Sequence, residues 1–211
     1  MRWSFGVEPL PESLTIAALS RAVTGLVLSL EAPHAALQRL IDALRSAEAE
    51  LRGLVPPDPA PRVGQNVASD GRAYIDHARD IGVFNPCFPT YEIRVDGDRA
   101  SGTVTFPVAY EGPPGIVHGG FLAVFFDSLI QHHTCDVGVA GKTTSLTVTY
   151  RRPTPILTEL QFEAERAVED RRINSTARLM SGGVVLCEAQ MSAVAGSRDK
   201  LPEVSPRRSG A

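Results

Sequence analysis

Cysteine is scarce in this chain, with three in 211 residues. Cys87, Cys135 and Cys187 show no CxxC spacing and make no even set. That excludes a small disulfide scaffold, and the three read as reduced thiols of a cytoplasmic protein. Excess charge is also missing. The formal net charge is -3, so no general attraction to nucleic acid or to an anionic membrane is expected. Long apolar runs are absent. The most suspicious, GLVLSL at Gly25 to Leu30, falls far short of the ~20 residues that span a bilayer. The opening MRWSF lacks the charged region and apolar core of a secretory leader. No long internal repeat stands out. What remains, 43% hydrophobic and 21% charged residues, is ordinary for a globular protein that stays where it is made.

Proline divides the chain. The stretch PPDPAP, Pro56 to Pro61, cannot continue a helix and favours extended backbone. Before it, Leu37, Leu40, Ile41, Leu44, Ala47 and Leu51 recur at helical spacing. Pro33 suits a first helical turn and Gly53 an end. An earlier helix is expected from about Glu12 to Leu30, with Leu19, Val23, Leu26, Val27 and Leu30 on one side. The two form a helical hairpin. Helices this short bury little alone, so the pair is expected to pack on the main domain or on a second copy. The expected organisation is a helical extension and linker over 1–61, a connecting region over 62–88, the main domain over 89–195, and a polar tail over 196–211.

The main domain reads strand, strand, helix, then four strands. YEIRV and ASGTVTFPV flank the turn residues Asp96 to Asp98. After the apolar helix come TTSLTVTYRR, ELQFEAERAV, INSTARLM and VVLCEAQMSAV; EDRR and Gly182–Gly183 mark turns between the last three. Short turns favour antiparallel pairing, and the helix must bury its stripe against the sheet. The expected fold is α+β.

That helix carries the chemistry. Leu122, Phe125, Phe126, Leu129 and Ile130 form its apolar stripe. Gly120, Val124, Asp127 and Gln131 lie on the other side. A helical aspartate is ordinarily a solvated surface residue. Here it shares its face with glycine and valine, so the face is expected to pack against another surface. GPPG, Gly112 to Gly115, cannot be helical, so the helix starts near His118 or Gly119 and ends near His133. Its first N–H groups lack internal partners, and glycine lets a ligand approach them. That suits a carbonyl oxygen acquiring negative charge; close packing is the plainer role for the same glycines. His118 and Asp127 are nine residues apart, which sets them on opposite sides and ~13.5 Å apart along the axis. To act on one substrate, Asp127 must meet the glycine end of a second copy, as in a twofold dimer.

GPPGIVHGGFLAVFFD resembles the signature of hotdog-fold acyl-CoA thioesterases of the phenylacetate-degradation type. In that family an HGG segment opens the central helix and an acid follows nine residues after the histidine. TTSLTVTYRRPTP and FNPCFPTYEI are similar to neighbouring parts of the family, and the resemblance covers roughly Tyr74 to Val194. It implies an antiparallel sheet wrapped around a long central helix, the hotdog fold, here with an N-terminal helical extension. It implies hydrolysis of an acyl-CoA to a carboxylic acid and free CoA, by a homodimer or a dimer of dimers. Asp127 matches the general base or nucleophile. Gly119 matches the residue whose N–H polarises the thioester carbonyl. His118 matches the motif histidine that shapes that end of the site, and Thr143 a Ser/Thr position that orients water or the acid. Some relatives carry asparagine six residues before the histidine, where this chain has Gly112.

Gly120, Arg151 and Arg152 are further candidates for contact with substrate, the arginines with the phosphates of a CoA carrier, although strand-end arginines are more often solvated. His132 and His133 beside Cys135 and Asp136 invite a metal reading, but adjacent histidines diverge on a helix. No metal or other cofactor is expected. The alternatives to an enzyme are a hotdog module that binds an acyl-CoA or related small molecule without turnover, and a structural assembly protein.

Overall fold

The computed structural model describes residues 11–54, 63–65, 72–74, 81–137 and 141–195. The proline-rich linker at 56–61 and the polar tail at 196–211 lie outside them. In chain order the elements are helices α1 (Pro11–Leu28) and α2 (Ala35–Leu54), short strands β1 (Val63–Gln65) and β2 (Arg72–Tyr74), and helix α3 (Ile81–Phe84). Strands β3 (Tyr91–Asp96) and β4 (Arg99–Thr105), a 3-10 turn η1 (Val108–Tyr110) and helix α4 (Gly119–Val137) follow. Strands β5 (Gly141–Tyr150), β6 (Glu159–Glu169), β7 (Arg172–Ser181) and β8 (Val184–Ala195) complete the order.

Six strands form one sheet in the order β3-β4-β6-β7-β8-β5, and each neighbouring pair is antiparallel. The turns between sequential strands are tight. Asp96 pairs with Arg99 around Gly97–Asp98, and Ser181 pairs with Val184 around Gly182–Gly183. Both of these last glycines have positive φ, 54° and 79°, which a two-residue hairpin turn of this kind requires.

Alternation then decides which face is inside. On β6, Leu160, Phe162 and Ala164 are buried while Glu159, Gln161, Glu163 and Glu165 are exposed. On β7 the buried set is Ile173, Ser175, Ala177 and Leu179. Helix α4 lies against this inner face. Its stripe residues Leu122, Phe125, Phe126, Leu129 and Ile130 are all buried. Phe125 stands at the centre, with ring centroids 5.2–5.8 Å from Phe126, Phe106, Phe162 and Tyr91. Each phenylalanine buried in this way contributes about 1.5–3 kcal/mol.

Three features depart from the sequence reading. Helix α4 continues one turn past His133, to Val137. The polar residues of that turn find partners: His133 Nε2 meets Gly97 O at 2.9 Å and Thr134 Oγ1 donates to Ile130 O at 2.8 Å. The connecting region, which carries no clear strand or helix pattern in the sequence, holds the antiparallel pair β1–β2 and helix α3. The two N-terminal helices are anchored unequally. Helix α1 buries Ala17 and donates from Arg21 Nη1 to Gly82 O at 2.6 Å. Helix α2 buries no residue and exposes Ile41, Leu44 and Leu51.

Candidate active site

The N-terminal end of α4 is built by chain breakers. Gly115, with φ of 77°, turns the chain after the prolines. Val117 N donates to Thr154 O and His118 N to Tyr110 O, at 2.8 and 2.9 Å. His118 is then the capping residue: its Nδ1 accepts from Gly120 N at 3.0 Å. Its carbonyl accepts from Phe121 N at 2.9 Å and Leu122 N at 3.3 Å. Three of the first four helix amides are thus satisfied. No acceptor among the described residues takes the fourth, Gly119 N–H. Because the His118 carbonyl is held from the other side of the same peptide, that N–H is fixed in direction before any ligand arrives.

Tyr150, at the end of β5, closes this end. Its hydroxyl donates to Gly119 O at 2.9 Å, and partial burial pushes the phenol pKa up. A Cβ on Gly119 would stand 3.1 Å from the Tyr150 ring, and one on Gly120 would stand 3.2 Å from His118 Nδ1. Glycine at both positions is what lets the histidine cap and the tyrosine approach. Gly112 has the same character, since a Cβ there would lie 2.9 Å from His118 Cα and Cβ.

Asp127 lies two turns further along α4 and is half-buried. Thr143 Oγ1 donates to its Oδ1 at 3.0 Å. Thr143 reaches it because β5 is irregular. Thr143 pairs with Ala193 and Ser145 with Ser192, so Thr144 is an extra residue, and its hydroxyl donates to Ser192 O. This β-bulge turns Thr143 to the same side as Leu146 and Val148, facing the helix. A regular strand would have sent it to the opposite face. Gln131, one turn beyond Asp127, donates from Nε2 to Thr143 Oγ1 at 2.8 Å.

The structure therefore brings together two groups of residues along α4, each completed by a residue of β5. His118, Gly119, Gly120 and Tyr150 form one, and Asp127, Thr143 and Gln131 the other. Eight residues of helix separate Gly119 from Asp127, a rise of ~12 Å. Arg151 is placed elsewhere, with its Nε 2.8 Å from Glu188 Oε2. They belong to a charged row across the outer face of the sheet, where Arg178 also pairs with Glu163. A groove there, lined by Thr149, Arg151, Glu163, Arg178 and Glu188, lies across the sheet from Asp127. Arg152 is exposed, and its backbone N–H donates to Leu186 O. His132 and His133 turn to different partners, His132 Nδ1 to the Tyr91 hydroxyl at 3.1 Å and His133 to the β3–β4 turn. Among the described residues no group of three His, Cys, Asp or Glu side chains is placed to hold a metal ion. None of the described helices is long and apolar enough to cross a membrane.

No protein-family model matches the chain, and no curated protein matches it in sequence. Solved structures do match. A thioesterase superfamily protein aligns over 90% of this chain and 94% of its own, at 25% identity and a TM-score of 0.70. A hypothetical thioesterase of Streptococcus pneumoniae TIGR4, solved with coenzyme A, aligns over 53% of this chain and 89% of its own, at 18% identity and a TM-score of 0.50. The PaaI protein of the E. coli phenylacetic acid degradation operon aligns over 49% of this chain and 82% of its own, at 16% identity and a TM-score of 0.46. The six-stranded antiparallel sheet on its central helix is the hotdog fold. The first match covers too much of this chain to be confined to the sheet and α4, so that protein shares the N-terminal part as well.

Proposed function

We propose that this hotdog protein is a thioester hydrolase that converts an acyl-CoA to a carboxylic acid and free CoA. The observation that carries the reading is the carboxylate of Asp127, held on the open side of α4 by the Thr143 hydroxyl. The likeness to thioesterase superfamily structures supports it, as does a neighbour of the same fold solved with coenzyme A. The unclaimed Gly119 amide supplies the complementary group. The thioester carbonyl sits at the N-terminal end of α4 with its oxygen toward that N–H. As charge develops on the oxygen it meets a donor already oriented, an effect worth ~3–4 kcal/mol in comparable sites.

The ~12 Å between Gly119 and Asp127 along one helix exceeds hydrogen-bond reach to a single reacting carbon. The active unit is therefore a homodimer, or a dimer of dimers, in which Asp127 of one protomer faces Gly119 of its partner. Strand β5 lies at the edge of the sheet, with Lys142 to Ser145 exposed, and is the natural seam for a second copy. Asp127 then activates water or attacks the carbonyl directly, and Thr143 holds it in either case. His118 acts on the Gly119–Gly120 backbone. Gly120 leaves room for the substrate, and Arg152 is the better placed of the two arginines to meet a CoA phosphate, since Arg151 already has Glu188. Three cysteines without CxxC spacing suit a reducing compartment, and we place the reaction in the cytoplasm.

The test is Asp127→Asn. It preserves size and removes the base, so kcat for acyl-CoA hydrolysis falls by ~100-fold or more while the fold and acyl-CoA binding survive. Steady-state turnover across a panel of acyl-CoAs, with circular dichroism of the variant, checks it. Near-normal turnover in a folded variant would make the carboxylate structural and sink the reading.

A further inference from the structure

Among the described residues, Gln131 bonds to two groups beyond its own helix. Its Nε2 donates to Thr143 Oγ1 at 2.8 Å and to Gly141 O at 3.2 Å. The second contact fixes the sense of the first. A backbone carbonyl only accepts, so Gly141 O selects the NH2 end of the amide and turns the carbonyl end away. Gly141 is itself held in register with Ala195 of β8, so that acceptor does not wander. Thr143 therefore faces a donor. A hydroxyl has one proton and two lone pairs, so the contact with Gln131 fills a lone pair and cannot accept the Thr143 proton. Among the described residues two acceptors remain in reach, Asp127 Oδ1 at 3.0 Å and Met191 Sδ at 3.7 Å. The thioether is the weaker, so the proton goes to the carboxylate.

We infer that Gln131 is a positioning residue for the hydrolysis: it sets the direction of a hydrogen-bond chain from Gly141 O through Gln131 and Thr143 to Asp127 Oδ1, which leaves Oδ2 for the reaction. The inference rests on the thioesterase reading and deepens it. The chain begins at a backbone carbonyl of the sheet and ends at the carboxylate, so the sheet dictates which carboxylate oxygen is held. Without the amide, the Thr143 hydroxyl is free to rotate and to accept instead of donate. An acceptor-only side chain at the same place would compete with Asp127 for the Thr143 proton.

The experiment measures kcat and KM for acyl-CoA hydrolysis in the full chain carrying Gln131→Met, Gln131→Glu, Thr143→Val, and Gln131→Met with Thr143→Val. Gln131→Met is expected to lower kcat about fivefold to tenfold with KM nearly unchanged, as loss of one oriented hydrogen bond would. Gln131→Glu, although the same size, is expected to be worse than Gln131→Met. In the Thr143→Val background, Gln131→Met is expected to have no further effect, because its route to Asp127 is already cut. Additive losses, a change confined to KM, or a Gln131→Glu variant as active as the wild type would each overturn the inference. A second readout needs no turnover. The side-chain 15N–1H signals of Gln131 in the wild type are expected to move in Thr143→Val, and unmoved signals overturn the chain even in an active enzyme. A wild type that hydrolyses no acyl-CoA while those signals do move would instead overturn the thioesterase reading and the role assigned to Gln131 in it, with the hydrogen bond left standing.

Discussion

Single atoms decide the His118 end of the site. His118 caps α4 through its ring Nδ1, and its Cα and Cβ lie where a side chain on Gly112 would crowd them. Gly112→Ala therefore places a methyl group 2.9 Å from His118 Cα and Cβ. Something must shift, and overpacking of this kind costs about 1–3 kcal/mol. The variant should melt at a lower temperature and lose turnover, because His118 carries the Gly119 peptide with it. A thermal melt beside steady-state kinetics checks this, and an unchanged melting temperature with full turnover would show that the loop absorbs the methyl group freely. At this scale the sequence is informative about some residues and silent about others. Asp127 and Gly119 stand out because a carboxylate and paired glycines are unusual on an apolar helix. Tyr150 and Gln131 do not, because their bonds join positions 31 and 12 residues apart, and no local pattern encodes them.

Two elements connect local pattern to the site. The alternation on β6 and β7 is regular and could be read directly. On β5 it is not, since the extra residue at Thr144 reverses the phase. Simple alternation back from Leu146 would put Thr143 on the outer face, so its contact with Asp127 was legible only through the family resemblance. The C-terminal turn of α4 is the other element. His133 is fully buried and holds the β3–β4 turn through Gly97 O, and Arg166 binds Asp98 of the same turn. Burial lowers the His133 pKa below 6.5, and the nearby Arg166 acts in the same direction, against the Gly97 hydrogen bond and the Asp98 and Asp136 carboxylates. The unfolded chain thus binds a proton at His133 more readily than the folded one. The stabilising contribution of neutral His133 is complete above pH 6.5 and is lost as pH falls through the lowered folded pKa. Urea midpoints at pH 7.5 and 5.5 should therefore differ more in the wild type than in His133→Gln, whose amide can still donate to Gly97 O. Equal differences would show that His133 does not titrate in this range.

The whole molecule is longer than a hotdog domain, and the added length reaches the site. Arg21 of α1 donates to Gly82 O within α3, and in a longer contact to Asn85 O, so it grips α3 and the segment that follows it. Tyr110 hydrogen-bonds Pro86 O in that segment at 3.3 Å, and burial pushes its phenol up to about 12, which keeps the donor proton in place. The Tyr110 carbonyl in turn accepts from His118 N at 2.9 Å. A continuous line of hydrogen bonds and packed backbone thus joins α1 to the cap of α4. The periodicity of α1 was plain in the sequence, but this connection was not, because it passes through a segment with no apolar period. Arg21→Met in the full chain keeps an unbranched apolar stem and removes the donors. It should lower the melting temperature and reduce kcat, with acyl-CoA binding less affected. A chain starting near Arg62 should show the same changes in larger measure. Its oligomer size and substrate range should change too, because the apolar residues that α1 and α2 expose, Leu19, Leu26, Leu44 and Leu51 among them, need a cover that a second copy would supply. Light scattering, thermal melts and the acyl-CoA panel on both forms test this together. If the shortened chain keeps the stability, oligomer size and substrate range of the full one, the extension is dispensable, and the line from Arg21 to His118 carries no functional weight.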